Sequence, residues 1–427
     1  MNVYEAFQKR MDIIVHNFDN IIISFSGGKD SGVLLNLILD YIKKHHLAIK
    51  PIVFHQDVEA QYSLTSEYVE RTFVDLINKD LIIPVWCCQP IALRVATSVY
   101  QYQWLPWNEE EKSLWVRPMP NYSFIKTHNN FQFPGYFKGI EYHNHFDRFN
   151  EYIANTHNGK TISLSGIRTQ ESLNRYRAIV NKKHMFEQYP WTMKCGDNLY
   201  RGYPLYDWKV EDIWTAVARF NYDYNRLYDK MYLAGATLNQ MRVASPFHDD
   251  AQLTLAMFKI IEPAIWDKLI NRVQGAEFTA KYARTKLMGK KLLNPPNNLD
   301  WRQFTRFLLR TLPHETRSNY ANKFMTSLIF WNQLGGGLDE DTIQALYQNR
   351  YNITDNGISP WANNKRRICF KGAFPLDTDN IPNKEVPSWK RMCKCLLKND
   401  YGCISMGFGL TAEQNRIISN IRKSGKV

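Results

Sequence analysis

Apolar positions along the first third of the chain alternate between two periods. Val3, Phe7, Met11 and Ile14 recur at helical spacing, and Ile21 to Ile23 follow as a short β-branched run, the mark of a buried strand. Val33 to Leu39 returns to the helical period, Ile49 to Phe54 reads as a second strand ending at His55-Gln56-Asp57, Ser66 to Ile77 as a helix, and Leu81 to Trp86 as a third strand. Strands that alternate with helices predict a parallel sheet closed by crossovers, whose ligands collect at the carboxyl ends of the strands. Between about residues 88 and 158 the alternation stops; Trp104, Trp107, Trp115, Tyr122, Phe131, Phe133, Tyr136 and Phe137 mark an insertion or lid, or else a local aromatic core. A strand resumes at Thr161 to Leu164, and the later chain is mainly helical, punctuated by Pro295-Pro296 and Gly335-Gly336-Gly337.

Chemistry enters at the first strand-to-helix turn, Ser26-Gly27-Gly28-Lys29-Asp30-Ser31. Two glycines permit positive φ and let backbone N–H groups approach an anion; Ser26 and Ser31 add hydroxyls, Lys29 a charge, and the following helix its positive end. The spacing is not that of a Walker A loop, since the lysine follows a Gly-Gly pair. The strand at Thr161 also ends in a glycine turn, Ser165-Gly166-Ile167-Arg168-Thr169-Gln170-Glu171-Ser172, with Arg175 and Arg177 beyond it to clamp phosphate. In Tyr203-Pro204-Leu205-Tyr206-Asp207-Trp208, Asp207 suits a helix N-cap, and Glu211 and Asp212 suit that helix's first turn.

Length and charge add a second half to this picture. A chain of 427 residues predicts two domains, here 1–245 for nucleotide binding and 246–427 for a mainly helical domain. Lys and Arg equal Asp and Glu, 27 against 27, over residues 1–250, but number 27 against 14 over residues 251–427. The basic half is expected either to meet a polyanion, most economically nucleic acid, or simply to be solvated. The helix expected at Trp301 to Thr311 sets Arg302, Arg306 and Arg310 in a stripe apart from Phe304, Phe307 and Leu308. Seven scattered cysteines and a charged start favour the cytoplasm, and no apolar run is long enough to span a membrane. Cys369, Cys393, Cys395 and Cys403 lack the paired spacing of zinc knuckles; Cys195, beside Lys194, is the best candidate for sulfur chemistry, with a buried inert thiol as the alternative.

Taken in order, S-G-G-K-D-S, S-G-I-R-x-x-E-S and P-L-x-D-W-x-x-x-D-I-W resemble the phosphoadenosine phosphosulfate reductase family of PP-loop ATP pyrophosphatases over about residues 20–220. The resemblance implies an α/β, adenine nucleotide alpha hydrolase-like parallel sheet with flanking helices. It also implies an adenine-nucleotide pocket formed by Ser26, Gly27, Gly28, Lys29, Asp30, Ser31, Gly166, Arg168 and Arg175. Lys29, Asp30, Asp57 and Arg168 would carry catalysis, with ATP and Mg²⁺ as cofactors and Asp57 as metal ligand. The E-C-G-L-H motif of the sulfonucleotide reductases is absent, so the expected reaction is ATP cleavage between the α and β phosphates to adenylate an acceptor in nucleic acid modification. The rival readings are a reductase with an unconventional cysteine and a nucleotide-sensing DNA-binding regulator. The segments around Lys365 to Phe370 and Ser388 to Asp400 resemble the extension of immunoglobulin-binding-regulator-A-type members, which implies a bacterial or phage protein and a ParB/sulfiredoxin-like partner.

Overall fold

In the computed structural model the chain is described apart from residues 1, 99, 172–174, 177, 178, 180–184, 239, 240, 249–254, 283–294, 296–298, 360–364, 377–380, 382–385, 404, 405, 407 and 409–427. Ser172, Arg177 and Pro296 therefore lie outside the described residues. Helix α1 (Val3–Asn17) opens on a capping box between Asn2 and Glu5. It leads into β1 (Asn20–Ser24), α2 (Lys29–Lys44), β2 (Ile52–Gln56), α3 (Ser63–Asn78) and β3 (Ile83–Cys88), the alternation that the apolar periods predict.

The aromatic region is not structureless. It holds a short hairpin, β4 (Leu93–Arg94) with β5 (Gln103–Trp104), then β6 (Ile125–Thr127) and α4 (Tyr142–Thr156). After it come β7 (Thr161–Leu164), β8 (Thr192–Lys194) and β9 (Leu199–Gly202). Seven strands form one sheet in the order β6-β3-β2-β1-β7-β9-β8, parallel except where β8 returns against β9.

The register explains how both faces are filled. Ile21 and Ile23 of β1 join Phe7, Met11 and Ile14 of α1 and Leu34, Leu35 and Ile38 of α2 in one core. Ile22, with Ile52 and Phe54 of β2, points into a second core with Phe149 and Ile153 of α4. Burying each such side chain contributes about 1.5–3 kcal/mol. A parallel sheet needs cover on both faces, and on the second face α4 is not enough. Helices α5 (Val210–Phe220) and α6 (Leu227–Leu233) are followed by α7 (Met257–Ile261), α8 (Pro263–Arg272) and α9 (Ala276–Tyr282). Phe247, Leu255, Met257, Trp266, Leu269 and Ala276 all pack into that second core. Residues beyond 245, as far as Ala276, thus help to cover the second face of the sheet.

Beyond it lie α10 (Trp301–Thr311), α11 (His314–Ile329), β10 (Gly336–Leu338), α12 (Glu340–Gln348), β11 (Ile353–Ile358), β12 (Arg366–Phe370) and α13 (Trp389–Leu397). This part is helical as expected, but it also carries an antiparallel sheet in the order β10-β12-β11. The glycine run has a packing reason: a Cβ on Gly336 would lie 2.1 Å from the Trp331 ring.

Candidate functional site

The sheet order reverses at β1. The chain moves from β1 through β2 and β3 to one side, then places β7 on the other, so the crevice between the ends of β1 and β7 is the expected binding point of the fold. Both glycine motifs end there. Gly27 takes φ +74°, while Gly28 is extended at φ −87° and caps α2. Positive φ is thus required at Gly27 alone; Gly28 is constrained by space, since a Cβ there would stand 3.3 Å from both Ser26 Oγ and Tyr228 Oη. The serines brace the turn: Ser26 Oγ lies 3.0 Å from Ser31 Oγ, and Ser31 donates to the Gly28 carbonyl at 3.1 Å.

Gly166 explains how the second motif reaches the first. A Cβ on it would sit 2.8 Å from the Asp30 carbonyl oxygen and 3.1 Å from the Ser31 nitrogen, so only glycine lets the β7 turn lie against the start of α2. That approach brings Arg168 onto Asp30, whose other oxygen takes the Lys29 ammonium at 3.0 Å. Arg168 and Lys29 are both buried. Arg175 pairs with Glu171 at 2.7 Å, at the rim of the same group. Six of the expected residues, Gly27, Gly28, Lys29, Asp30, Gly166 and Arg168, therefore meet at one helix N-terminus, with Ser26 and Ser31 shaping the turn beneath.

Four residues complete this site without a local sequence signal. Asn225 donates to the Gly27 carbonyl and to Thr65 Oγ1, each at 2.9 Å, and fixes the turn from outside. Tyr228, on α6, accepts the Lys29 backbone N–H at 3.1 Å and lies under the Lys29 ammonium, 5.2 Å from ring centre to Nζ. Burial, with the Asp30 charge behind it, pushes the Tyr228 pKa upward. The hydroxyl keeps its proton and can donate it to an anion at the turn. Val243 closes over Gly28, and Arg242 donates to the Glu171 carbonyl at 3.1 Å.

Asp57 does not fit its expected role as metal ligand. Fully buried, it accepts the Arg117 guanidinium and the Glu59 N–H on one oxygen and the Trp86 indole N–H on the other. Burial alone would raise its pKa, but the charges of Arg117 and His55 and these hydrogen bonds hold it below the ordinary value. A cation would have to displace Arg117. Among the described residues, no three His, Cys, Asp or Glu side chains gather to hold a metal. Asp207 is likewise reassigned: it takes Arg10 through both carboxylate oxygens, at 2.8 and 2.6 Å, and Lys209 stands at the N-cap of α5 instead. Glu211 and Asp212 do occupy the first turn of α5.

Cys195 is also misplaced for chemistry at the turn. It follows β8 and donates its N–H to the Leu199 carbonyl, at the level of Thr161 and Asn20, the opposite end of the sheet from Ser26. Its thiol is exposed, yet desolvation raises its pKa despite Arg201 nearby. Cys87 and Cys88 end a strand on the correct side but are fully buried, and burial raises both pKa values.

Residues 20–234 match the phosphoadenosine phosphosulfate reductase domain, and residues 235–417 match a domain of unknown function, DUF3440. The uncharacterized protein YbdN of Escherichia coli K12 is 30% identical over 434 residues, spanning 100% of this chain and 95% of that one. Among solved structures, phosphoadenylyl-sulfate reductase of Candida auris in a phosphate complex is similar at 12% identity and TM-score 0.26, over 56% of this chain and 87% of the other. FMN adenylyltransferase of Candida glabrata with FMN and AMPCPP is similar at 14% identity and TM-score 0.33, over 65% and 75%. The U34-tRNA thiolase of Methanococcus maripaludis is similar at 11% identity and TM-score 0.32, over 70% and 84%.

Proposed function

We propose, from the premise that this chain belongs to the phosphoadenosine phosphosulfate reductase domain family, that its β1–β7 crevice binds ATP and cleaves it between the α and β phosphates. The observation that carries this reading is the meeting of Lys29 and Arg168 on Asp30 at the N-terminus of α2, beside a protonated Tyr228. Three cations, Lys29, Arg168 and Arg175, against two carboxylates, Asp30 and Glu171, leave a net positive charge at a helix N-terminus, the environment a polyphosphate requires. An acceptor oxygen attacks the α-phosphorus, the bond from that phosphorus to the bridging oxygen breaks, and pyrophosphate leaves. The acceptor's proton passes to solvent, and AMP stays on the acceptor.

In this scheme Lys29 and the backbone N–H groups of the turn meet the charge that grows on the leaving pyrophosphate. Asp30 orients both cations, and Arg168 spans the two motifs. Tyr228 donates to a phosphate oxygen. No step is assigned to Asp57, which Arg117 already occupies.

The test uses ATP labelled separately at the α and γ phosphates, with products resolved by thin-layer chromatography and binding followed by calorimetry. Labelled pyrophosphate from the γ label and, from the α label, an adenylated acceptor (free AMP where water is the acceptor) are expected, each lost in Lys29→Ala. Orthophosphate as the sole γ-labelled product would refute α–β cleavage. Binding of ATP with no turnover by the wild-type chain, under any acceptor supplied, would favour a nucleotide sensor.

A further inference from the structure

Helices α10 and α13 begin side by side and brace each other through exchanged contacts. Arg302 of α10 lies over the Trp389 ring at 5.5 Å, Lys390 of α13 lies over the Trp301 ring at 5.3 Å, and Thr305 donates to the Trp389 carbonyl at 3.2 Å. Asp300 caps α10 in a capping box with Gln303, and Ser388 caps α13. At 100° per residue, Arg302, Arg306, Arg310, Gln303 and Phe307 occupy one continuous arc of α10, and all five are exposed. The other arc is packed: Phe304 and Thr305 are buried, and Leu308 and Leu309 join a core with Met392, Cys395 and Leu396 of α13.

Neither helix contains an aspartate or glutamate, whereas α13 adds exposed Lys394, and Lys398 follows at its C-cap. Among the described residues no carboxylate pairs with Arg306, Arg310, Lys394 or Lys398. Like charges at i, i+4 on one helix repel each other, so the stripe raises the free energy of the isolated chain. Phe307, 54% exposed, stands at the edge of this arc, one turn from Arg310, and stacks on Phe304 with ring centres 6.4 Å apart. An exposed ring bordering arginines that no carboxylate neutralises suits stacking on a base whose neighbouring phosphates meet those arginines. A membrane surface fits less well, because an interfacial helix needs a free apolar face and that of α10 is already packed.

We propose that the exposed face of α10 and α13 binds a single-stranded segment of nucleic acid, with Arg302, Arg306, Arg310 and Lys394 on its phosphates and Phe307 stacked on a base. The surface is fastened to the nucleotide-binding body. Immediately after α13, Asn399 donates to the Ser98 carbonyl, Asp400 pairs with Arg94 at 2.9 Å, and Tyr401 stacks on Tyr102 at 3.9 Å. A strand held there is a substrate candidate for the same molecule that binds the nucleotide. The surface itself does not depend on ATP cleavage.

The test is fluorescence anisotropy of the full chain with a labelled 20-nucleotide single strand, as DNA and as RNA, titrated with salt, and with unlabelled duplex as competitor. Replacing the three arginines by glutamine should lower the salt slope by about 2, at roughly 0.7 for each phosphate of a single strand that is no longer neutralised. Arg306→Gln alone, at an exposed position, should lower it by about 0.7 and serves if the triple variant does not fold. Phe307→Ala should weaken single-strand binding roughly tenfold without changing the slope. An unchanged slope in a folded arginine variant overturns the assignment. So does duplex competing as well as single strand with Phe307→Ala neutral, or binding to phosphatidylserine vesicles with none to oligonucleotide. ATP affinity by calorimetry should be the same in all these variants, which separates failure of this surface from failure of the nucleotide site.

Discussion

Gly166→Ala isolates the contact between the two motifs with a single methyl group. The new Cβ would lie 2.8 Å from the Asp30 carbonyl oxygen, 2.9 Å from its carbon and 3.1 Å from the Ser31 nitrogen. All three are backbone atoms of the first turn of α2, which cannot swing aside as a side chain would. Ordinary contact begins near 3.4 Å, so the β7 turn and the helix must part by about half an ångström. Overpacking of this kind costs about 1–3 kcal/mol. The same movement stretches the Arg168 to Asp30 pair, a charge-assisted bond worth about 1.5–3 kcal/mol. Stability in urea should therefore fall by about 1–3 kcal/mol, and ATP affinity by roughly tenfold or more, since the second cation is drawn off the site. Gly235→Ala is the control: its φ is +81° but nothing lies within 4 Å of the added Cβ, so it pays only local backbone strain of about 1–2 kcal/mol and should leave ATP binding intact. A Gly166→Ala protein that keeps wild-type stability and affinity would refute the claim that the motifs act through this approach.

Tyr228→Phe should keep the fold and weaken ATP binding about five- to tenfold in calorimetry, by removing the hydroxyl at the Lys29 N–H and the donor it offers to phosphate; an unchanged affinity would remove Tyr228 from the site. Arg117→Met should destabilise the protein by about 3–5 kcal/mol at pH 7 in urea unfolding, because it leaves the Asp57 carboxylate buried without its cation. The wild-type Asp57 pKa is depressed, so its contribution is full above the ordinary carboxylate pKa of about 4 and is lost as pH falls through the folded value. In the variant that pKa rises, so the deficit should shrink as pH is lowered from 7 toward 4; a deficit independent of pH would show that Asp57 is not the group affected.

The elements legible in the sequence are those whose signal is local. β1, β2, β3 and β7 are runs of β-branched and aromatic residues, and α1 to α3 keep the helical period across several turns. Hidden elements owe their existence to distant partners. β6 and β8 have three residues each and hold by pairing with β3 and β9. Helix α4 is periodic through Phe146, Phe149 and Ile153, but its aromatic surroundings obscure the period. The glycine motifs point to the phosphate turn because their chemistry is contiguous. Tyr228 could not be found that way: its hydroxyl reaches Lys29 across 199 residues, and nothing around it in sequence distinguishes it from a core tyrosine. Phe307 shows the reverse error, since helical spacing groups it with Phe304 while packing leaves it outside.

The acidic residues after β2 show why the ends of strands cannot all be read as chemistry. Asp57 and Glu59 stand at the edge where ligands collect, yet both are fully buried and turned toward protein. Glu59, held at φ +60°, accepts the N–H groups of Trp107 and Val116 at 2.9 and 3.0 Å and the Arg272 guanidinium at 3.0 Å. Arg272 comes from α8, donates also to the Leu105 carbonyl at 2.7 Å and pairs with Glu111 at 2.8 Å. A buried pair of this kind contributes little net stability over apolar packing, but removing one partner is strongly destabilising. Its effect is to tie the aromatic region and the later helices to the end of β2 in one arrangement. The segment after residue 245 thus completes the nucleotide-binding body with apolar cover and a buried cation before the chain goes on to its basic helices. The charge excess that appears as a property of half the sequence is resolved by position: Arg272 is neutralised inside the protein, whereas Arg306 and Arg310 face outward.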